Sequence, residues 1–231
     1  LQQALGDRTR LVIINSPHNP TGALLDTSDV ERLAAVLRPY GCYVLSDEVY
    51  EHIVFDGAQH ASVLSHAELA ERSFAVFSFG KTYHATGWKI GYCVAPRQLS
   101  AELRRVHQYV TFASVTPIQH AIAEFLVEHP EYHRQLPAFY AEKRDGFAEL
   151  MKSTRFRLLP CRGSYFQLAD YSDISELPDV EFARRLTVEH GVAAIPISVF
   201  YERSPDDRLI RFCFAKQTET LARAATRLAA L

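Results

Sequence analysis

Apolar residues along the chain fall into short runs whose period changes from one end to the other. Leu11-Val12-Ile13-Ile14 is continuous and β-branched, the pattern of a strand buried on both faces of a parallel sheet. It runs into Asn15-Ser16-Pro17-His18-Asn19-Pro20-Thr21-Gly22, whose two Pro turns and closing Gly fit neither helix nor strand. Ser28-Asp29-Val30-Glu31 has the form of a capping box. Val30, Leu33, Ala34 and Leu37 come after it at helical spacing, and Pro39 with Gly41 stops that helix. Cys42-Tyr43-Val44-Leu45 predicts a second strand, ending in Ser46-Asp47-Glu48-Val49-Tyr50. Phe74 to Phe77 predicts a third, which delivers Ser78 and Lys81, and Ile90 to Ala95 a fourth, stopped by Pro96. Strands alternating with helices, each strand ending in polar residues, are the rhythm of a parallel α/β sheet. Ligands in such sheets sit at the carboxyl edge.

Gln98 to Val110 carries a helical pattern in Leu99, Leu103 and Val106, and Pro117 opens another helix through Ile122 and Leu126 towards Pro130. Glu131 to Met151 is long, charged and amphipathic, a natural bridge between domains. After Ser153 the pattern changes. Phe156 to Leu159 and Ser164 to Leu168 alternate as antiparallel strands with one wet face. Val180 to His190 predicts a helix closed by Gly191, and Leu209 to Phe214 a strand before an Ala-rich terminal helix. The expected organisation is a large domain over 1–130, an interdomain helix over 131–152 and a smaller α+β domain over 153–231.

Composition adds limits. The chain has 231 residues, 48% of them hydrophobic, and a formal net charge of −2, so no basic excess points to nucleic acid. No apolar run approaches the length of a membrane span, and no signal-like segment opens the chain. Cys42, Cys93, Cys161 and Cys213 are scattered without a CxxC pair, which fits a reducing cytoplasm. The chain starts at Leu1 and enters a strand within a few residues; the expectation is that further elements precede that strand.

The candidate chemistry centres on Lys81, set among Phe77, Phe79 and Tyr83. An amine among aromatic rings is partly desolvated, which favours its neutral, nucleophilic form. By itself Lys81 also fits a solvated loop lysine. Asp47, directly after an apolar strand, is either a cap of the next turn or a buried partner for a cation. Arg211 interrupts the apolar run Leu209 to Phe214 and lies either on a solvent face or against an anion. Its planar fork matches a carboxylate in two parallel bonds.

Asn19-Pro20-Thr21-Gly22, Ser46-Asp47-Glu48-Val49-Tyr50, Ser78-Phe79-Gly80-Lys81 and Arg211 occur in this order. On these motifs the chain resembles the fold-type I, class I/II pyridoxal-phosphate aminotransferases over essentially its whole length, as the later part of the family's sequence. The run Gly80 to Lys89 and Val106-His107-Gln108 are similar to the methionine and kynurenine/glutamine branch. The resemblance implies an α/β fold: a parallel-sheet cofactor domain, incomplete at its N-terminus, with a smaller α+β C-terminal domain. It implies pyridoxal 5'-phosphate as cofactor, attached to Lys81. Asp47 would pair with the pyridine nitrogen, Asn19 and Tyr50 with the phenolic oxygen, and Ser78 and Lys89 with the phosphate. Arg211 would clamp the substrate carboxylate, and Lys81 would shuttle the proton. Asn19 is also expected beside the substrate, and Phe112 to reach a neighbouring subunit's site in a homodimer. The implied partners are an amino acid and a 2-oxo acid.

No second cation stands out as a side-chain carboxylate clamp, while Phe112, Tyr165 and Phe166 offer apolar wall. Methionine is therefore the expected donor, with aromatic amino acids second. The family's phosphate-cradling turn and ring-stacking aromatic are not found, so the chain alone is expected to bind cofactor poorly and to be inactive. Competing readings are a carbon–sulfur β-lyase on the same scaffold, a kynurenine aminotransferase, and the effector-binding domain of a transcription regulator.

Overall fold

The structure is a computed structural model describing residues 1–231. The chain divides into two compact units, Leu1–Pro17 with Leu24–Leu136, and His18–Ala23 with Pro137–Leu231.

In the first unit, β1 (Leu11–Asn15), β2 (Tyr43–Asp47), β3 (Ser73–Ser78) and β4 (Gly91–Val94) form a sheet in that order. The first three are parallel, with Asn15 level with Asp47 and Asp47 level with Val76. Their carboxyl ends therefore share one edge. β4 departs from the parallel expectation and pairs antiparallel with β3. The connection between them holds only α3 (Phe79–Thr82) and a 3-10 turn at Thr86–Trp88, with no crossover helix.

Between β1 and β2 lies α1 (Thr27–Leu37), which buries Val30, Leu33, Ala34 and Leu37 with Val12, Val44, Ala75 and Phe77. Each fully buried Val or Leu is worth about 1.5–3 kcal/mol. The capping box is real but lies two residues earlier than expected. Asp26 Oδ1 accepts the Asp29 backbone N–H at 2.9 Å, and Asp29 Oδ2 accepts that of Asp26 at 3.0 Å. Ser28 sits inside the first turn and donates to Asp26. β1 also corrects an expectation. Only one face is buried, and Ile13 on the other is 66% exposed. The continuous apolar run could not distinguish a covered face from an open one. After the short α2 (Ala67–Ala70) and β4 come α4 (Arg97–Val110) and α5 (Thr116–Glu128). α4 buries only Leu99, leaving Val106 60% exposed.

In the second unit, α6 spans Leu136–Met151. From Pro137 onward it groups with the C-terminal strands and helices, so the separate interdomain helix over 131–152 is not observed; residues 132–135 form a 3-10 turn. β5 (Arg157–Leu158), β6 (Phe166–Asp170), β8 (Leu209–Cys213) and β7 (Ile195–Pro196) form an antiparallel sheet in the order β5-β6-β8-β7. α7 (Asp179–His190) ends at Gly191, whose φ of +62° makes the left-handed stop the sequence predicts. α8 (Thr218–Leu228) comes after β8. Phe156 and Phe147 both approach the Phe212 ring, and Tyr171 stacks on Phe182 at 4.1 Å. β6 has no wet face, since Phe166 through Ala169 are all buried. Even Gln167 is satisfied inside, donating to the Leu159 and Leu168 carbonyls.

The loop His18–Ala23 belongs to this second unit. The Gly22 carbonyl accepts the N–H groups of Arg162 and Gly163, both at 3.0 Å. Gly22 has φ +69°, and a Cβ there would lie 3.0 Å from Cys161 Sγ and 3.2 Å from the Gly163 carbonyl. Both the backbone angle and the close approach require glycine.

Candidate active site

Asp47 is the last residue of β2 and Ser78 the last of β3, so adjacent parallel strands deliver both to the sheet's carboxyl edge. Ser78 caps α3, its Oγ accepting the Lys81 N–H at 3.3 Å. This cap turns the chain so that Lys81 stands one helical turn beyond the strand. The Lys81 Nζ lies 5.5 Å from the centroid of the Tyr50 ring, and Tyr50 is itself buried.

Asp47 resolves the two readings in favour of both. Its Oδ1 accepts the Val49 N–H at 3.3 Å, a local turn, and the Lys81 charge acts on it. Burial nonetheless pushes its carboxyl above the ordinary range, with the neighbouring Glu48 acting the same way; the Val49 N–H and Lys81 pull against them. Glu48 is the reverse case. Burial opposes its charge, but hydrogen bonds with His60, Ser62 and Ser46 outweigh it and hold the carboxyl below its usual value. Lys89 ends the 3-10 turn in a left-handed conformation and is exposed, as is Phe112, 83% exposed just past α4.

In the second unit Arg211 sits mid-strand in β8, level with Leu168 of β6 and Ile195 of β7. It is half-buried, not on a solvent face. Its Cζ lies 4.0 Å over the centroid of the Phe166 ring, and Nη1 donates to Asn19 Oδ1 at 2.5 Å. The Asn19 loop is tightened locally by His18 Nδ1 on Thr21 Oγ1 at 2.8 Å and by the Gly22 N–H on the His18 carbonyl.

The structure thus gathers Lys81, Asp47, Tyr50 and Ser78 in one unit and Asn19 with Arg211 in the other. Sequence reasoning missed Glu48 and His60 as a pair, and Phe166 as the ring beneath Arg211. Glu48 gave a faint signal, a second acid directly after Asp47; nothing in the loop around His60 announced it. Chemically, the first unit offers an amine, a half-buried acid and a phenol. The second offers a guanidinium fork whose plane is fixed by stacking and suits a carboxylate.

Comparison with known proteins shows which family the chain belongs to. The sequence model of the family "Aminotransferase class I and II" matches residues 1–228. The methionine aminotransferase of Escherichia coli strain K12 is 54% identical over 224 residues, covering 97% of this chain and 58% of that protein. A kynurenine–oxoglutarate transaminase of Dictyostelium discoideum is 34% identical, covering 97% of this chain and 57% of its own length. Among solved structures, that of YbdL from Escherichia coli, described as having a methionine aminotransferase function, superposes with a TM-score of 0.95 at 53% identity. It is matched by 100% of this chain over 61% of its own. The N-succinyldiaminopimelate aminotransferase of Mycobacterium tuberculosis gives 0.94 at 36% identity, over 99% of this chain and 60% of that one. The chain therefore spans a little under two thirds of the relatives it matches. Family match, fold and relatives agree: the chain belongs to the class I and II aminotransferases.

Proposed function

We propose that the protein transfers the amino group of an amino acid to a 2-oxo acid with pyridoxal 5'-phosphate, and that methionine is its preferred donor. The observation that carries this reading is Asp47 and Ser78 at the ends of adjacent strands, with Lys81 one turn beyond and its Nζ 5.5 Å from the buried Tyr50 ring. The residues fit the cofactor. Burial disfavours the Asp47 charge more than its present partners restore it, and a protonated pyridine nitrogen is the cation that would complete it. Ser78 and Lys89 supply a hydroxyl and a cation for the phosphate, and Tyr50 and Asn19 donors for the phenolic oxygen.

When bound, the cofactor supplies an electrophilic carbon for the substrate amine and a ring that accepts electrons from the α-carbon. The protein's own groups do the rest. Arg211 takes the α-carboxylate in two parallel bonds, and the Phe166 ring holds the guanidinium plane. The Lys81 amine removes the α-proton as general base. Asp47 keeps negative charge at the ring nitrogen's position. The amino acid and the 2-oxo acid carry the same α-carboxylate, so the same arginine serves each in turn. Methionine is favoured by the apolar rings of Tyr165 and Phe166, their centroids 4.8 Å apart and Phe166 against Arg211, and by the 54% identity to a methionine aminotransferase. The exposed apolar side of α4 supports a homodimer. No helix is long and apolar enough to cross a membrane, and we place the protein in the cytoplasm.

The test is borohydride reduction of the cofactor-treated whole protein followed by peptide mass mapping. A pyridoxyl group on Lys81 is expected, and its appearance on another lysine overturns the assignment. Lys81→Ala should lower kcat by about 10²–10⁴-fold. Donor competition should rank methionine above phenylalanine, kynurenine and aspartate; faster turnover of aspartate refutes the substrate reading. Release of ammonia from a cysteine S-conjugate without need of a 2-oxo acid identifies the β-lyase instead.

A further inference from the structure

We propose that the buried Glu48–His60 pair is the positioning device for Asp47, the cofactor-facing acid that precedes Glu48 in sequence; this rests on the function proposed above. The Glu48 side chain is 1% exposed. Its Oε1 accepts the Ser46 hydroxyl at 2.8 Å and the Val63 N–H at 3.1 Å, and its Oε2 accepts His60 Nε2–H at 2.8 Å. The Glu48 N–H donates to the Val76 carbonyl of β3 at 2.9 Å. One residue thus ties the end of β2 to the neighbouring strand and to the segment 60–63.

A buried carboxylate is costly unless every lone pair is used, and an apolar side chain of similar volume fills such a space without that cost. Here the charge is kept and fully engaged, one peptide unit from the acid that faces the cofactor. Three elements bring charged or titratable groups to this place: Lys81 from α3 towards Asp47, His60 from the loop after β2, and Glu51 from the turn just after β2. Glu48 therefore has two effects at this site. It fixes the backbone on which the carboxylate is aimed, and it adds negative charge that favours a protonated cofactor.

The two effects separate by substitution. Glu48→Ala removes both. Glu48→Gln keeps the shape and an acceptor oxygen for Val63 and Ser46 but removes the charge. Three quantities are measured in the whole protein: the dissociation constant of pyridoxal 5'-phosphate, the pH midpoint of the bound cofactor's absorbance change, and the melting temperature without cofactor. Glu48→Ala should weaken cofactor binding by about tenfold or more, the scale on which groups supporting a ligand site act. Glu48→Gln should restore most of that affinity. In both variants the absorbance midpoint should move to lower pH, because a protonated group loses a nearby negative charge.

Wild-type affinity and an unmoved midpoint in both variants overturn the inference, whatever the melting temperatures do. Should Glu48→Ala fail to fold, Glu48→Gln and His60→Ala decide. An unmoved midpoint in Glu48→Gln together with unchanged affinity in His60→Ala overturns it; a lowered midpoint or weakened binding supports it. Failure to label Lys81 in the wild type removes the proposed function and this inference together. A labelled Lys81 with unaffected variants removes only the inference.

Discussion

Arg211 Nη1 and Asn19 Oδ1 meet at 2.5 Å although 192 residues separate them in sequence. An acceptor on one guanidinium nitrogen and the Phe166 ring beneath Cζ leave the fork with a fixed orientation. Arg211→Lys keeps the charge but loses the planar pair of donors. We expect kcat/KM for the amino donor to fall by the equivalent of about 2–5 kcal/mol, the scale for truncating one partner of a buried charge pair. Phe166→Leu should cost less, about 0.5–2 kcal/mol, the range of a cation–π contact. Its effect should appear in KM, with cofactor affinity unchanged. Steady-state kinetics with methionine and a 2-oxo acid check both.

Asp47 gives a pH dependence with a definite sign. Burial raises its carboxyl above the ordinary value, so it protonates before an exposed acid does as pH falls. The neutral acid does not pair with a protonated pyridine, so cofactor affinity should weaken towards acid pH through that raised value. Asp47→Asn should abolish this dependence and lower kcat by about 10²-fold or more, as for loss of a group that supports proton transfer. Equilibrium dialysis across pH is the measurement.

Glu51 and His52 stand 3.4 Å apart, yet burial shifts both groups against forming an ion pair. Burial pushes the Glu51 carboxyl up to about 7 and the His52 imidazole down to about 4. The histidine is charged only below the range in which the acid is charged. For Glu51 the folded state holds its proton more tightly than the unfolded chain. Its contribution is therefore fully present below about 4.5 and is lost as pH rises to about 7. His52 works in the opposite direction over an overlapping range. Glu51→Gln should isolate the acid's part: relative to wild type, the variant's melting temperature should be higher at pH 8 than at pH 5.

Gly22→Ala should destabilise the second unit. The left-handed backbone alone costs a non-glycine residue about 1–2 kcal/mol, and the new Cβ would meet Cys161 Sγ and the Gly163 carbonyl. The loop it displaces carries Asn19. Expected are a lowered melting temperature and a raised KM for the donor; an unchanged KM would separate the loop from substrate binding.

The strands that carry Asp47, Ser78 and Lys81 were legible because runs such as Val44-Leu45 and Phe74 to Phe77 bury side chains whatever surrounds them, and because strand-end polarity marks the sheet's functional edge. The longer helices could be read from their spacing, and the stop at Gly191 from the one residue that tolerates its φ; the short α2 and α3 could not. Other features depend on what lies across space, which no local pattern records. β4 runs antiparallel because its connection lacks a crossover helix, although its sequence reads simply as one more strand. Ile13 is exposed and Val12 buried because α1 covers one face only. Asn19 belongs with β8, and not with the strand that precedes it, because Gly22 accepts hydrogen bonds from Arg162 and Gly163. The chain by itself determined which residue types stand at each strand end. Only the tertiary structure decided which of them share partners, since burial, register and hydrogen bonding act between segments far apart in sequence.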